Sequence, residues 1–372
     1  MTSPATQTTT RHDSSWDHAT YLDWIATQGI PIHEGYFIAD LRTLELGWWE
    51  ARGCNAAFLL LAGQEGVSEA RVTEVPPGGT TKPARMGLDE VVYVVEGRGI
   101  TSIWANDQPV RSFEWQKQSL FRIPANYHHQ YANTIGDRPA RLLHYNALPL
   151  GMMVADDAEF FFSSNYVNLD LVYGEAEPFS EAKLVEGTGS RGTFWRGNFF
   201  PDMGRWDKFL EHGRRGAGAQ IVWIQYPNAP LWNHMSIFPD RTYKKAHRHG
   251  PGTLIVIPSG EGFSFMWPEG KEKIYIPWGE ASVFVPPNNW YHQHFNVGQV
   301  PARYLAFHSP RANNDYEERR LAGNQQIEYV DEDPVVRTRF EDELAKRGLQ
   351  SLMPPEVFVD KYFGWEEPEG GA

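Results

Sequence analysis

Short apolar runs separated by glycine and proline define the chain from residue 55 onward. The run 57–61 is typical of a buried strand, and 90–95 of a second one, with Gly97 and Gly99 marking a tight turn after it. Because no helical period appears between such runs up to about residue 147, this half predicts a closed or sandwiched β-architecture.

The same kind of pattern returns in the second half of the chain. Between the two β-regions lie apolar stretches mixed with glycine and charged residues, which we interpret as a connecting region packed on both domains. The predicted organisation is an N-terminal arm with a short helix (1–54), a first β-domain (55–149), the connecting region (150–217), a second β-domain (218–310) and a C-terminal helical tail (311–372).

Two helices are predicted outside the β-domains. Residues 1–14 are Thr- and Ser-rich and predict disorder, and a short helix follows over 15–25. Acidic residues and Pro334 open a second helix over 331–344, and Gly348 follows near its end. We expect the second helix to serve packing or oligomer contacts.

An internal repeat joins the two β-domains. Shifting the sequence by 163 residues gives fourteen identities over the 52 positions from 82 to 133, without a gap. Chance would give roughly three, so the chain contains two copies of one fold. The identical pairs are Lys82/Lys245, Arg85/Arg248, Gly87/Gly250, Gly97/Gly260, Gly99/Gly262, Trp104/Trp267, Trp115/Trp278, Ser119/Ser282, Phe121/Phe284, Pro124/Pro287, Asn126/Asn289, His129/His292, Gln130/Gln293 and Asn133/Asn296.

Three histidines of the second copy carry the main chemical signal. His247 and His249 are two residues apart, so on a strand they share one face, and His292 on a later strand completes three imidazoles for one metal. In the first copy Ala84 and Met86 replace the first two histidines. Only His129 of the three positions remains a histidine there, so we interpret that domain as a scaffold, or as an empty or organic-ligand pocket.

The composition limits the classes of partner. The chain has 47 acidic and 34 basic residues and no long basic run, which argues against nucleic acid. The longest apolar run, 56–62, is too short to span a membrane, and the polar first residues lack the apolar segment of a signal peptide. The single cysteine, Cys54, excludes an internal disulfide and fits a reducing compartment. We expect a cytoplasmic protein without nucleic-acid or membrane partners.

The motifs around the histidines resemble those of the cupin superfamily. The first cupin motif contains His-x-His, then Glu, then Gly, and the second is Pro-x-Gly-x-x-His-x-x-x-Asn. The second copy reads His247-x-His249, Thr253 in the Glu place, Gly260 and then Pro287-x-Asn289-x-x-His292-x-x-x-Asn296. The first copy reads Glu90, Gly97 and then Pro124-x-Asn126-x-x-His129-x-x-x-Asn133. This similarity covers roughly 60–148 and 218–308 and implies an all-β bicupin: two double-stranded β-helix (jelly-roll) barrels with a few peripheral helices.

The departure from the cupin pattern narrows the chemistry that the resemblance implies. Most metallocupins add a carboxylate as fourth ligand, whereas position 253 is Thr. Three neutral imidazoles leave the charge of a divalent ion uncompensated and leave positions open, which favours an anionic substrate bound through two oxygens, together with O2. In this respect the chain is similar to the gentisate, salicylate and 1-hydroxy-2-naphthoate dioxygenases and to diketone- and thiol-oxidising cupins. In the gentisate group the metal lies in the N-terminal cupin, whereas here it would lie in the C-terminal one.

We therefore predict a non-haem Fe(II) dioxygenase of aromatic catabolism. The enzyme would cleave a C–C bond of a substrate such as a hydroxylated aromatic acid. Its metal would bind to His247, His249 and His292. Mn, Ni or Zn also suit histidine-only sites. Two alternatives stay open: a Zn-, Ni- or Mn-dependent lyase, isomerase or decarboxylase acting without O2, and a non-catalytic bicupin that binds a small ligand. The similarity to bicupins also implies a homo-oligomer.

Four further residues are candidates for the site. His294 shares the face of His292, so it is either an acid–base group or substrate hydrogen-bond donor, or a strand histidine bonded to a carbonyl. Trp290, Phe265 and His308 are candidates for contacts with substrate, with core packing as the alternative. For Trp267, Trp278, Arg248, Gln293 and Asn296 the identities in the first copy favour structural roles.

Overall fold

The computed structural model of the chain describes residues 20–186, 193–207, 210–211, 215–310 and 325–364. Its α-helices span Thr20–Thr27, Leu148–Val154, Ala158–Ser163, Asp170–Tyr173 and Pro334–Ala345, and its 3-10 helices span Ala62–Gln64, Tyr329–Asp331 and Pro355–Phe358. Within these ranges no helix has the length and apolar character needed to cross a membrane.

The two predicted helices can be compared with these helices of the structure. The first is helical over Thr20–Thr27; Ser15 and residues 1–14 lie outside the described residues. The second begins at Pro334, where the carboxylate of Asp333 accepts a hydrogen bond from the backbone N–H of Val335 at 3.0 Å. An acidic cap followed by proline in the first turn satisfies the free N–H groups of a helix start.

Two sheets form the first barrel. Its eight-stranded sheet contains Ile32–Gly35, Gly47–Trp49, Cys54–Leu61, Glu69–Val75, Glu90–Glu96, Leu120–Ile123, Ala140–Asn146 and Phe199–Phe200. Its three-stranded sheet contains Arg98–Trp104, Arg111–Gln116 and His128–Asn133.

Two larger sheets form the second barrel. Its nine-stranded sheet contains Phe37–Ile38, Lys183–Val185, Phe194–Arg196, Leu210–Glu211, Gln220–Gln225, Trp232–Phe238, Leu254–Ser259, Val283–Phe284 and Ala302–His308. Its five-stranded sheet contains Ala246–His247, Gly262–Trp267, Ile274–Trp278, Tyr291–Asn296 and Gln326–Ile327. The chain thus has the all-β, two-barrel fold with few helices that the sequence predicts.

The continuous apolar run of strand Glu90–Glu96 has a packing cause. Val92 and Val94 face the interior of the first barrel. Val91 and Tyr93 lie on the other face, in a core that also contains Leu305 and other residues of the second barrel. The large sheets of the two barrels therefore pack on each other, and a strand buried on both faces does not alternate with polar residues.

The repeat recurs in the hydrogen bonds of the two barrels. Equivalent side chains make equivalent bonds at similar donor–acceptor distances, so the gap-free register of the sequence is also the register of the structure. The pairs are Gln130 to the carbonyl of Thr81 (2.6 Å) and Gln293 to that of Lys244 (2.9 Å); Asn133 to that of Pro76 (3.1 Å) and Asn296 to that of Pro239 (3.1 Å); and Trp115 to the hydroxyl of Thr101 (3.0 Å) and Trp278 to that of Ser264 (3.0 Å).

The barrels exchange one short strand each. Phe37–Ile38 pairs with Val283–Phe284 of the second barrel, and Phe199–Phe200 pairs with Leu120–Ile123 of the first. The segments predicted as an N-terminal arm and a connecting region thus each contribute strands to the sheets. As domain boundaries, 54/55, 149/150, 217/218 and 310/311 remain a proposal.

Candidate metal centre

Two antiparallel strands, Ala246–His247 and Tyr291–Asn296, bring two histidines of the second barrel together. The predicted strand position of His249 is wrong, because the first strand ends at His247 and His249 lies in the loop that follows. His247 pairs directly with His292, and their ring centroids lie 4.2 Å apart. The ring of His249 lies 4.6 Å from that of His292, and one ligating atom from each of the three residues lies within 4.8 Å of the others. Two ligands of one ion at about 2.0–2.1 Å are at most about 4.2 Å apart. Small side-chain rotations therefore suffice to close the group around one metal.

The backbone orients all three rings in the same sense. Nδ1 of His247 lies 3.4 Å, and Nδ1 of His292 3.3 Å, from the carbonyl oxygen two residues earlier, and Nδ1 of His249 lies 2.8 Å from that of the next residue. A ring nitrogen that donates its proton to a carbonyl leaves the lone pair on the other nitrogen. In this tautomer Nε2 is the nitrogen of each ring that binds a metal.

Burial keeps two of these imidazoles neutral. His247 and His292 are 7% and 1% exposed. Burial first, and the charge of Arg215 second, hold the pKa of His247 well below its usual range; burial and then His249 do the same for the pKa of His292. Because a metal binds the neutral ring, both residues are in their ligating form at neutral pH.

No carboxylate joins the three histidines among the residues that the structure describes. Thr253 is buried, and its hydroxyl lies 3.3 Å from Nδ1 of His308. Its counterpart Glu90 lies between Arg71 and His144 in the first barrel. Burial alone would raise the pKa of Glu90, but the charges of Arg71 and His144 outweigh it and lower that pKa well below its usual range. The second barrel thus offers three imidazole donors, which fits a divalent ion with open positions.

The first barrel keeps the backbone of this site and one of its three histidines. Ala84 bridges to His129 there, as His247 pairs with His292. The motif asparagines Asn126 and Asn289, which stand in the glycine place, have φ of 63° and 57°. Asparagine tolerates this left-handed conformation better than most residues, so the loop before each of these strands keeps its shape.

His294 lies next to the three-histidine group on the same strand as His292. Its ring centroid is 5.6 Å from that of His292 and 4.9 Å from that of Tyr304. The hydroxyl of Ser264 lies 2.8 Å from Nδ1 of His294 and accepts a hydrogen bond from Trp278. When Ser264 donates to Nδ1, Nε2 of His294 carries the proton. The partner of this buried imidazole is thus a hydroxyl rather than a carbonyl.

A buried ammonium follows His294 in the barrel interior. Lys244 is 1% exposed, and its Nζ donates to the hydroxyls of Tyr304 at 2.8 Å and Ser236 at 2.7 Å. Burial lowers the pKa of Lys244, and the charge of Arg215 lowers it further, whereas Tyr304 raises it. Burial alone would raise the pKa of Tyr304, but the charge and hydrogen bond of Lys244 outweigh it and lower that pKa.

Arg215 adds a second cation near the group. Its guanidinium donates to the side-chain oxygen of Gln326 at 3.1 Å, and its charge contributes to lowering the pKa of His247, His292 and His294. The candidate centre therefore lies in a positive field, which attracts an anion.

His308 and Trp290 are two of the residues predicted to contact substrate. His308 is buried, with Nε2 2.8 Å from Nδ1 of His234 and its ring stacked on Trp232 at 3.6 Å between centroids. It also contacts Thr253, the residue in the carboxylate position. Trp290 lies at the start of the His292 strand with its ring 6.0 Å from that of Tyr36.

Phe265 is not brought to the histidines. Its neighbour Ser264 faces His294, so alternation along the strand turns Phe265 to the other face of the five-stranded sheet. There its ring lies 5.4 Å from that of Phe295, in a buried cluster that includes Phe340 of the C-terminal helix. The position of Phe265 is that of a packing residue between the sheet and the tail.

Several motif residues make structural contacts. Arg248 forms an ion pair with Glu269 at 2.9 Å on the outside of the strand. Gln293 donates to the carbonyl of Lys244 and to Glu332, and Asn296 donates to the carbonyls of Pro239 and Val300. Trp267 and Trp278 are buried in apolar clusters.

Sequence reasoning missed Tyr304 and Ser264 beside the candidate centre and did not place Lys244 in the barrel interior. Lys244 faces the interior although it lies three residues before His247, because the chain forms only an isolated bridge at Tyr243 before strand Ala246–His247 begins. Period-two alternation cannot anticipate this irregularity. Alternation along the strands could have identified the other two residues. Ser264 lies two residues from Met266, and Tyr304 lies two residues from Ala306, and both of those residues are in the barrel interior.

Comparisons with known proteins concern the fold. No family model matches the chain, and no curated protein matches it. The chain is similar in structure to oxalate decarboxylase from Lactobacillus farciminis in its formate complex, with 11% identity, a TM-score of 0.47, and coverage of 78% of this chain and 92% of that one. It is also similar to Bacillus subtilis oxalate decarboxylase, which has Mn(II) centres, with 11% identity, a TM-score of 0.45, and coverage of 75% and 78%.

A third similar structure is the 11S globulin from Wrightia tinctoria, which has an auxin binding site. Its identity is 10%, its TM-score is 0.48, and the match covers 74% of this chain and 84% of that one.

Proposed function

We propose that the chain is a non-haem Fe(II) dioxygenase that cleaves a C–C bond of a substrate with two ligating oxygens, such as a hydroxylated aromatic acid. The observation that carries this proposal is the donor set of His247, His249 and His292, whose ligating atoms lie within 4.8 Å of one another and beside which the described residues place no carboxylate. Three neutral ligands leave the ionic charge to be balanced by the substrate, which favours a bidentate anion. Bound iron would pass electrons from the substrate to O2, so that the substrate is oxidised as O2 is reduced.

The side chains around the group have separate tasks in this proposal. Lys244 and Arg215 hold an anionic substrate by charge, and the burial of Lys244 strengthens its attraction because water does not screen it. His294, with its proton on Nε2, donates a hydrogen bond to a substrate oxygen. Tyr304, whose pKa Lys244 lowers, donates its phenol proton to a substrate oxygen.

A second candidate function is a Zn-, Ni- or Mn-dependent lyase, isomerase or decarboxylase that does not use O2. The hydrogen-bonded pair of Lys244 and Tyr304 favours it, because a buried phenol held by an ammonium is a proton donor for a carbanion left by bond cleavage. The metal would then supply Lewis acidity alone.

One experiment separates these functions. The chain is loaded anaerobically with Fe(II), Mn(II), Ni(II) or Zn(II) and incubated with a panel of hydroxylated aromatic acids and diketones, while O2 uptake and substrate loss are followed. We expect Fe(II)-dependent O2 uptake matched by substrate loss, absent from His292→Ala and retained in His129→Ala, its counterpart in the first barrel. Substrate loss without O2 would support the second function. No turnover with any metal would contradict both and leave a non-catalytic ligand-binding bicupin.

We also propose a homo-oligomer in a reducing, cytoplasmic setting. Cys54 is a buried free thiol, and burial raises its pKa to about 11, so it is inert as a nucleophile. Light scattering after size exclusion gives the mass of the assembly and tests the oligomer directly.

A further inference from the structure

The first barrel encloses a cavity at the place where the second barrel holds its histidines. Its volume is about 440 Å³, and Ala84, Met86, Glu90 and His129 line it. These four residues stand at the repeat positions of the three histidines and Thr253. The replacement of two imidazoles by smaller or flexible side chains therefore leaves space in the range of small-molecule pockets, about 300–1,000 Å³.

A guanidinium projects into this cavity without a carboxylate partner. Arg52 lines the cavity and is 8% exposed. Its Nη2 donates to Nε2 of His129 at 3.3 Å, and no ion pair of Arg52 is formed with any residue that the structure describes. A guanidinium has five N–H donors, so most of the hydrogen-bonding capacity of Arg52 remains for a ligand.

The other charges of the barrel interior form ion pairs with one another, and Glu90 attracts Arg52 without forming an ion pair with it. Arg71 bridges Glu69 and Glu90, and Glu90 also contacts His144. His129 adds no charge, since burial and then Arg52 lower its pKa to about 3. A buried charge without a partner is costly, and an anion supplied from solution removes that cost at Arg52.

The remaining walls are apolar and partly aromatic. Trp24 and Phe162 stack with centroids 5.1 Å apart and an interplanar angle of 20°, and Trp49 and Leu88 also line the cavity. Glu159, which lines it as well, is exposed, so the cavity reaches the surface. Flat aromatic walls favour a planar apolar ligand, which stacks on them.

Arg52 occupies the same backbone position as Arg215 of the second barrel. The backbone N–H of Lys82 donates to the carbonyl of Arg52 at 2.7 Å, and that of Lys245 donates to the carbonyl of Arg215 at 3.0 Å. In the first barrel, however, the guanidinium reaches the imidazole that a metal would need. The guanidinium of Arg52 thus lies at the position in the first barrel that corresponds to the metal site of the second.

We propose that the first barrel is a metal-free binding site for a small carboxylate with a planar apolar body. The carboxylate pairs with Arg52, and the body lies against Trp24, Phe162 and Trp49. This site is separate from the three-histidine centre and does not depend on the function proposed for it.

Calorimetric titration of the full chain with benzoate tests the proposal. Acetate has the carboxylate but no aromatic ring, and benzyl alcohol has the ring but no charge. Both should therefore bind more weakly than benzoate. Arg52→Gln should weaken benzoate binding about tenfold to a hundredfold. Arg85→Gln is the matched control, because Arg85 lines the same cavity but bonds to Ser163 and Asn165; it should keep the wild-type affinity.

Two further variants determine which barrel holds the benzoate. His292→Ala disables the centre of the second barrel and should retain benzoate binding; loss of binding in this variant would place the ligand in the second barrel and overturn the proposal. Ala84→Phe fills the cavity without changing Arg52 and should abolish binding even if Arg52→Gln does not fold. Wild-type affinity in Ala84→Phe, or no benzoate binding by the wild type, would also overturn the proposal.

Discussion

The ammonium of Lys244 lies 2.8 Å from the hydroxyl oxygen of Tyr304, and both side chains are buried inside the second barrel. The ring of His294 lies between Tyr304 and the candidate ligand His292, at 4.9 Å and 5.6 Å from them. A positive charge and two proton carriers therefore follow one another from the interior toward the three-histidine group. This order gives the site a way to hold an anion and to move a proton.

Tyr304→Phe should lower kcat about tenfold to a thousandfold, because it removes the hydroxyl that Lys244 holds. Metal content should not change, since Tyr304 is not a ligand. Tyr275→Phe is the control: Tyr275 lies on the outer face of the five-stranded sheet beside Phe263. Steady-state rates with the active substrate and elemental analysis check both variants. An equal loss in the two variants would contradict the role of Tyr304.

Thr253→Glu should restore the carboxylate that Glu90 represents in the first barrel. A negative ligand compensates the charge of the ion, so we expect the metal Kd to fall about tenfold or more. Turnover should fall, because the carboxylate takes a position that a bidentate substrate needs. Thr253→Gln has the size without the charge and should not tighten metal binding. Chelator competition measures both Kd values, and an unchanged Kd in Thr253→Glu would argue that Thr253 does not face the ion.

Glu332 should make stability depend on pH. Burial raises its pKa to about 7 from 4.5, against opposing hydrogen bonds from Tyr243 and Gln293. The folded state then binds the proton more tightly than the unfolded state, so the contribution is complete below about pH 4.5 and is lost as pH rises through about 7.

Glu332→Gln should remove this dependence and raise Tm at pH 8 relative to the wild type. The gain in the free energy of unfolding is at most about 3 kcal/mol. Glu341→Gln, at an exposed position of the C-terminal helix, is the control. Thermal unfolding at pH 5 and pH 8 gives the comparison; identical pH profiles for wild type and Glu332→Gln would contradict the assignment.

The repeat should allow a second metal site to be built. Ala84→His with Met86→His completes three imidazoles with His129, but Arg52 donates to Nε2 of His129 and repels a cation. We expect the double variant to gain little metal and the triple variant with Arg52→Gln to gain a second ion per chain. Equal metal content of the double and triple variants would show that Arg52 does not block the site.

Much of this organisation was readable from the sequence because it depends on local pattern. The strands at Ala57 and Glu90, the register of the repeat and the grouping of the three histidines follow from apolar runs and matched motifs. The start of the C-terminal helix follows from Asp333 and Pro334.

The remaining features depend on contacts between distant segments, which such patterns do not encode. The exchange of Phe37–Ile38 and Phe199–Phe200 between barrels is set by packing of the two large sheets. The inward turn of Lys244 comes from an irregular strand, and the placement of Phe265 against the C-terminal helix follows from the face that the helix covers. Arg52 lies 77 residues from His129 in sequence, so the repeat alone did not predict the hydrogen bond between them.

Elemental analysis of anaerobically prepared, Fe(II)-loaded protein tests the central claim, a single metal centre on three histidines of the second barrel. The account predicts one metal ion per chain in the wild type and in His129→Ala, and none in His247→Ala or His292→Ala with folding retained. Full metal content in His247→Ala and His292→Ala, or loss of the ion in His129→Ala alone, would contradict it.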